Sequence, residues 1–235
     1  MLDKDCQFFL YDGKITGNTS GDGGAIYLNQ EPSWLIMQGG EISGNTATGN
    51  GGGVYIYRSG SVCQLYSGKI ENNKASGNGG GIYINPSNSG QLKVGNKPIV
   101  QNNTAKNGGA FFSTTGGTIN MTGGTISGNK ATQNSNNAGG GAIYMRGNGK
   151  IDISGSAEIT GNSSSLDGGA ILMGWGEINI SDSAKINSNT ASRWGGAICL
   201  RQDSNQTTIL NMRGGEISGN KANSEGGAVH VLDKD

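Results

Sequence analysis

The sequence predicts an all-β fold: a single-stranded right-handed parallel β-helix of about eight rungs, one continuous solenoid over residues 1–235. Three observations predict it. A double glycine followed by a small residue and strand formers recurs eight times, beginning at Gly23, Gly51, Gly79, Gly108, Gly140, Gly168, Gly195 and Gly226. A β-branched residue followed three places on by Asn recurs with it, at Asn18, Asn45, Asn73, Asn103, Asn129, Asn162, Asn189 and Asn220. Between these landmarks apolar residues alternate with polar ones over short runs punctuated by Gly and Asn, which is the period of a strand and not of a helix. Spacings of 27 to 32 residues between double glycines mark a solenoid. A unit of that size cannot bury its own apolar stripe, but stacked copies bury a continuous one.

Each unit opens with an alternating pair: Phe8/Leu10, Leu35/Met37, Cys63/Leu65, Leu92/Val94, Ile119/Met121, Ile151/Ile153, Ile178/Ile180 and Leu210/Met212. The Ile or Val of the Asn motif follows, and a second alternating pair such as Ile26/Leu28 or Val54/Ile56 follows the double glycine. Each unit thus forms two or three short strands with about five inward positions. Right-handedness is the general preference of parallel crossovers. Eight rungs at the spacing of paired strands make a rod roughly 38 Å long.

Composition narrows the function classes. Forty-five Gly residues spread end to end disfavour helical domains. Seventeen basic residues balance 17 acidic ones, so neither nucleic acid nor an anionic membrane is an expected partner. No apolar run is long enough for a membrane span, and no export signal opens the chain. Three Cys (Cys6, Cys63, Cys199) lack both the number for a disulfide scaffold and the spacing of a metal site. No cofactor is expected.

In a solenoid the same position in successive units forms a column. The eight Asn read as a hydrogen-bonded ladder at a bend, with Asn also suited to the left-handed conformation such a bend needs. The double glycines read as corners requiring positive φ or close backbone approach. Lys14, Glu41 and Lys69, and later Glu158, Lys185 and Glu216, form an outward column of alternating sign that favours register. Another column, Tyr27, Tyr55, Tyr83, Phe112 and Tyr144, continued by Leu172, Cys199 and His230, faces away from the core by alternation. It is either a stack that holds the sheet together or a contact strip for a glycan or protein. His230, the only His, reads as a surface residue. Length varies in loops such as Asn29 to Ser33, Tyr57 to Ser61, Asn85 to Gly90, Arg146 to Lys150, Arg201 to Thr207 and Thr132 to Ala138. Trp34, Trp175 and Trp194 are placed in such loops, as sugar platforms or as rings packed partly on the rod.

The GGA[IV] strand paired with a spaced Asn resembles the GGA[ILV]/FxxN repeats of chlamydial polymorphic outer-membrane proteins. It is similar also to repeat regions of large bacterial surface proteins with right-handed β-helices. Ile or Val stands here where those repeats have Phe. The resemblance covers all eight units and implies an exported, adhesin-like stalk or passenger on a bacterial surface. Pectate lyases and polygalacturonases share the fold, so a carbohydrate-binding module or a lyase is the alternative. Against catalysis, Asp152 and Asp182 are on successive rungs but Asp152 has Asn179 as its column neighbour, no Asp-Asp pair or Gly-His-Gly occurs, and Asp22, Asp167 and Glu225 are rungs apart. No catalytic residue is assigned and no enzyme activity is expected.

The two ends match. Leu2-Asp3-Lys4-Asp5 repeats as Leu232-Asp233-Lys234-Asp235, and superposing the copies keeps the repeat in register. The chain is then either one super-repeat of a longer array, or a subunit that continues the helix end to end through Phe8, Leu10, Val229 and Val231. Its expected partners are copies of itself or neighbouring repeats, and possibly a host or environmental glycan or protein.

Overall fold

A computed structural model describes residues 6–30, 32–85, 90–114, 116–135, 138–201 and 206–232. The matched LDKD segments fall almost wholly outside these residues. Among the described residues every regular element is a strand, and the strands form a parallel β-helix of eight turns. Each turn has four strand segments rather than two or three. In the first turn they are Cys6–Leu10, Lys14–Thr16, Thr19–Ser20 and Ile26–Leu28. The unanticipated one is the two-residue segment after the Asn, whose inward position is Ala47, Ala75, Ala105, Ala131, Ala191 and Ala222 in six turns, the first five of them buried. Those side chains were too small to register as part of an apolar alternation.

Two eight-stranded sheets carry the Ile column and the Ala column, and one 14-stranded sheet carries both the opening strand and the glycine-led strand. The last arrangement arises because a glycine-led strand runs on toward the opening strand of the next turn. Twice the two fuse, as Ile143–Ile153 and Ile171–Ile180. Arg146 to Lys150 is therefore part of a strand and not the loop expected, although its register slips between Met145 and Asn148. Trp175 likewise lies in a strand, and so does Trp34, in Ser33–Met37.

Register holds column by column. Phe8 pairs with Leu35, Leu35 with Cys63 and Cys63 with Leu92, and Ile15, Ile42, Ile70, Val100 and Ile126 stack in the next sheet. All but the terminal members of these columns are buried in one continuous core. At order 1.5–3 kcal/mol gross per buried aliphatic side chain, this explains how a chain with so few large apolar residues holds a fold.

The double glycine works by two different means. Gly51 has φ of 67°, which an L side chain rarely adopts. A Cβ on Gly52 would collide with the Gly80 carbonyl and the Lys74 backbone, so the second glycine permits close chain approach at the corner. At the Asn bend the left-handed residue is not the ladder Asn but the one before it. Gly44, Asn72, Asn102 and Ser188 have φ of 62°, 56°, 54° and 55°.

Candidate functional site

The Asn column is a closed hydrogen-bond ladder. Asn45 Nδ2 donates to Asn73 Oδ1 at 2.9 Å and to the Ile15 carbonyl at 3.0 Å, while its backbone N–H donates to the same Asn73 oxygen at 3.0 Å. The pattern repeats through Asn103, Asn129, Asn162 and Asn189, whose side chains are buried. Every Asn-to-Asn bond of the ladder runs from donor to acceptor toward the C-terminal end. Asn18 Oδ1 therefore has no donor above it, and the Asn220 backbone N–H has no acceptor below it, among the described residues.

A second polar ladder occupies the position just before each double glycine, and the sequence reading missed it. Asp22 Oδ1 accepts from the Asn50 backbone N–H at 2.6 Å, Asn50 Oδ1 accepts from the Asn78 N–H at 2.9 Å, and Asn107 Nδ2 donates to Asn78 Oδ1 at 2.8 Å. Farther along, the same column holds Asp167, Trp194 and Glu225. Asp167 is fully buried and takes a fork from Arg193, at 2.8 Å from Nε and 2.6 Å from Nη2, with Arg201 Nη1 at 3.7 Å. The hydrogen bonds to Asp167 raise the Arg193 pKa. The signal was present, since Asp, Asn, Asn and Asn precede the first four double glycines.

The aromatic column faces away from the main core, as alternation requires, but it is not an exposed strip. Tyr27 is 43% exposed, whereas Tyr55, Tyr83, Phe112 and Tyr144 are buried, and with Leu172 and Cys199 they form a second apolar cluster. Tyr27 stacks on Tyr55 at 4.9 Å, Tyr55 on Tyr83 at 4.8 Å and Tyr83 on Phe112 at 5.3 Å, while Tyr144 meets Phe112 edge-on. Each inner ring is covered by its neighbours along the rod, and Asn85 Nδ2 donates to the Tyr55 hydroxyl at 3.3 Å. Burial pushes the Tyr27, Tyr55 and Tyr83 phenols above their ordinary range, with Asp22 adding to it.

The three Trp residues separate. Trp194 packs against this second cluster, between the Arg193 guanidinium at 3.7 Å and the His230 ring at 5.1 Å. His230 is thereby half-buried rather than a free surface residue. Trp175 stands beside Phe112 and Tyr144 at a groove of about 890 Å³. Trp34 lies apart, paired with Gln7 and Val62.

Both ends carry apolar side chains in the open. Phe8 is 38% exposed at one end and Val231 72% at the other, while Leu10 is buried and Val229 half-buried. Elsewhere Asp152 Oδ1 accepts from Asn179 Nδ2 at 2.8 Å and meets Lys150 Nζ at 3.1 Å, the environment of an ion-paired structural carboxylate. Among the described residues no group of three or more His, Cys, Asp or Glu is placed to hold a metal, and no helix is long and apolar enough to cross a membrane.

The model of the Chlamydia polymorphic membrane protein repeat matches residues 13–29, 40–57, 68–85 and 183–201. Each stretch except the last runs from just before the Ile column to the end of the glycine-led strand, and the last starts slightly earlier. These four stretches are thus similar to the chlamydial repeat, and each falls on the same part of a β-helix turn. No curated protein and no solved structure matches it.

Proposed function

We propose that this chain is a non-catalytic segment of a bacterial surface β-helix, structural or adhesive in role, whose two end faces each take a further turn of the same repeat. That turn comes from a neighbouring repeat or from a second copy, joined head to tail. The observation that carries the reading is the complementarity of the ends. Ile26, Val54, Ile82, Phe111, Ile143, Ile171 and Ile198 each donate a backbone N–H to a carbonyl of the following turn, and Val229, their eighth equivalent, has no such acceptor among the described residues. The open backbone N–H of Asn220 meets the open ladder acceptor Asn18 Oδ1, and exposed Val231 and Met212 meet exposed Phe8. A contact of this head-to-tail kind does not close on itself and propagates as a rod.

The test joins two copies in one chain and follows melting. Coupled ends give one cooperative transition above that of the single copy, and Val229→Pro in the first copy, which removes the outgoing donor, splits it again. Two independent transitions at the single-copy temperature would refute the reading. Light scattering of the single copy against concentration separates the sources of the added turn, since growth means a second copy and a constant mass means a neighbouring repeat. Turnover of polygalacturonate that disappears in Asp152→Asn would overturn the non-catalytic part.

A further inference from the structure

We propose that the groove beside Trp175 is a binding site for an acidic oligosaccharide, one bearing carboxylate or sulfate groups. The groove lies on the flank of the third to sixth turns, where Asn78, Asn107, Gln133 and Trp175 follow one another along the rod. Four successive turns span roughly 14 Å, room for several sugar units and not one.

Its lining has a distinct chemistry. Lys106 and Arg146 are exposed, come from different turns and make no ion pair with a described residue, and among the described residues no carboxylate lines the groove. The chain as a whole is neutral, so two cations in one cleft with no described carboxylate beside them are a local departure. Among the described residues no aliphatic side chain lines it, which disfavours a peptide needing apolar anchor pockets. What lines it instead is aromatic and hydrogen-bonding: half-exposed Trp175, the largely buried Phe112 and Tyr144, then Thr114, Gln133 and the Asn rungs of the second ladder. Flat rings take the apolar faces of sugar rings, and amides and cations take hydroxyl and anionic groups.

The backbone points to the same place. The longest interval between double glycines, 32 residues from Gly108 to Gly140, is the turn that supplies Gln133. The register slip in the otherwise regular paired strands falls between Met145 and Asn148, and it is this slip that contains Arg146 and Gly147 of the groove. Such irregularities re-aim side chains and concentrate at sites. Two departures from a strict repeat thus converge on one cleft, whose Asn floor is already fixed: Asn107 Oδ1 accepts from Gly139 N–H at 3.0 Å while its Nδ2 donates to Asn78.

Calorimetric titration of the whole chain tests this with four probes: a galacturonate trimer, a sulfated heparin-derived tetrasaccharide, neutral cellotriose and a poly-glutamate peptide. Binding is expected for one or both acidic sugars, weakened by salt, with the first two probes deciding between carboxylate and sulfate. Arg146→Gln and Lys106→Gln should each weaken it about tenfold, the loss of one charge-assisted hydrogen bond. Trp175→Ala should weaken it similarly, while Lys69→Gln on another face leaves it unchanged. Both cations are exposed, so the melting temperature of the Gln variants should stay at that of the parent, which separates lost binding from lost fold. No binding of either acidic sugar, binding unaltered in both Gln variants, or equal binding of poly-glutamate would each overturn the assignment. Its failure leaves the coupling of the end faces untouched, since neither experiment involves the other's residues.

Discussion

Asn103 sits at the centre of a ladder in which every amide hydrogen and the amide oxygen have partners. Its oxygen accepts from both the N–H and the Nδ2 of Asn73, and its Nδ2 donates to the Ile70 carbonyl and to Asn129 Oδ1. Asn103→Ala strands these buried groups, and each one left unpaired costs roughly 1–3 kcal/mol, so a loss of about 3 kcal/mol or more is expected in a denaturant titration. Asn103→Asp keeps the acceptors but opposes Asn129 Oδ1 with another oxygen and buries a charge, so it should be no milder near neutral pH. A surface-like loss below about 0.5 kcal/mol would contradict the ladder's role. Thiol chemistry gives a second residue-scale prediction. Cys6 is exposed, whereas Cys63 and Cys199 are buried, and burial pushes the Cys63 thiol up to about 12. A thiol reagent should label one Cys in the native protein and all three in denaturant. Fast labelling of Cys63 under native conditions would mean that the core column opens readily. The first Asn ladder was legible in sequence because an invariant residue recurs at an invariant offset. The second was not, because Asn gives way to Gly139, Asp167, Trp194 and Glu225 partway along the column. The left-handed residue at the bend was misplaced by one position, since Gly, Asn and Ser alternate there and mask the requirement.

The aromatic column shows the limit of alternation at the scale of the strand. Period two says which side of the sheet Tyr83 occupies, and that was right; it does not say whether a second layer covers that side. Stacking at 4.8 to 5.3 Å along the rod supplies that layer from the column itself, so only Tyr27, at its end, keeps a largely open ring. Ring stacking in successive turns thus turns an outward position into a second core. Removing one ring from the middle, as in Phe112→Ala, should cost about 3–5 kcal/mol, more than a contact strip would suffer. The pH dependence follows from the same burial. Tyr27, Tyr55, Tyr83 and Cys63 all have folded-state pKa values above their ordinary ones, 10.0 for the phenols and 9.0 for the thiol. A raised folded pKa gives stability that is complete below the ordinary value and is lost as pH climbs toward the folded one. Alkaline unfolding should therefore begin above about pH 9, and the phenolate absorbance of Tyr55 and Tyr83 should appear together with loss of β structure. Smooth ionisation of all seven tyrosines in a still-folded protein would disprove the buried stack.

The rod as a whole was legible because a solenoid writes its three-dimensional neighbours at a fixed sequence distance. Once the spacing is known, the register from Phe8 to Leu35 or from Ile15 to Ile42 follows without any long-range inference. What the spacing does not reveal is where two strands fuse, as in Ile143–Ile153, because fusion depends on the length and path of a connection. The groove beside Trp175 was out of reach for that reason: Arg146 enters it from a register slip within a strand. The same one-dimensional logic governs stability. Interior turns are held on both sides, while the first and last turns have one neighbour each, and Asn18 and Asn220 have open ladder groups. Local opening should accordingly start at the ends and move inward, with amide exchange slowest around Asn103 and Asn129 and fastest at the two terminal turns. Placing Asp at Ile126, which is fully buried in the middle of the Ile column, should abolish this gradient by creating two new fraying fronts within the rod. Joining a second copy should do the opposite and slow exchange at Asn220 and Val229 to interior rates. Hydrogen exchange read residue by residue distinguishes these cases, and uniform protection from end to end in the single copy would show that the turns melt as one unit and not as a stack.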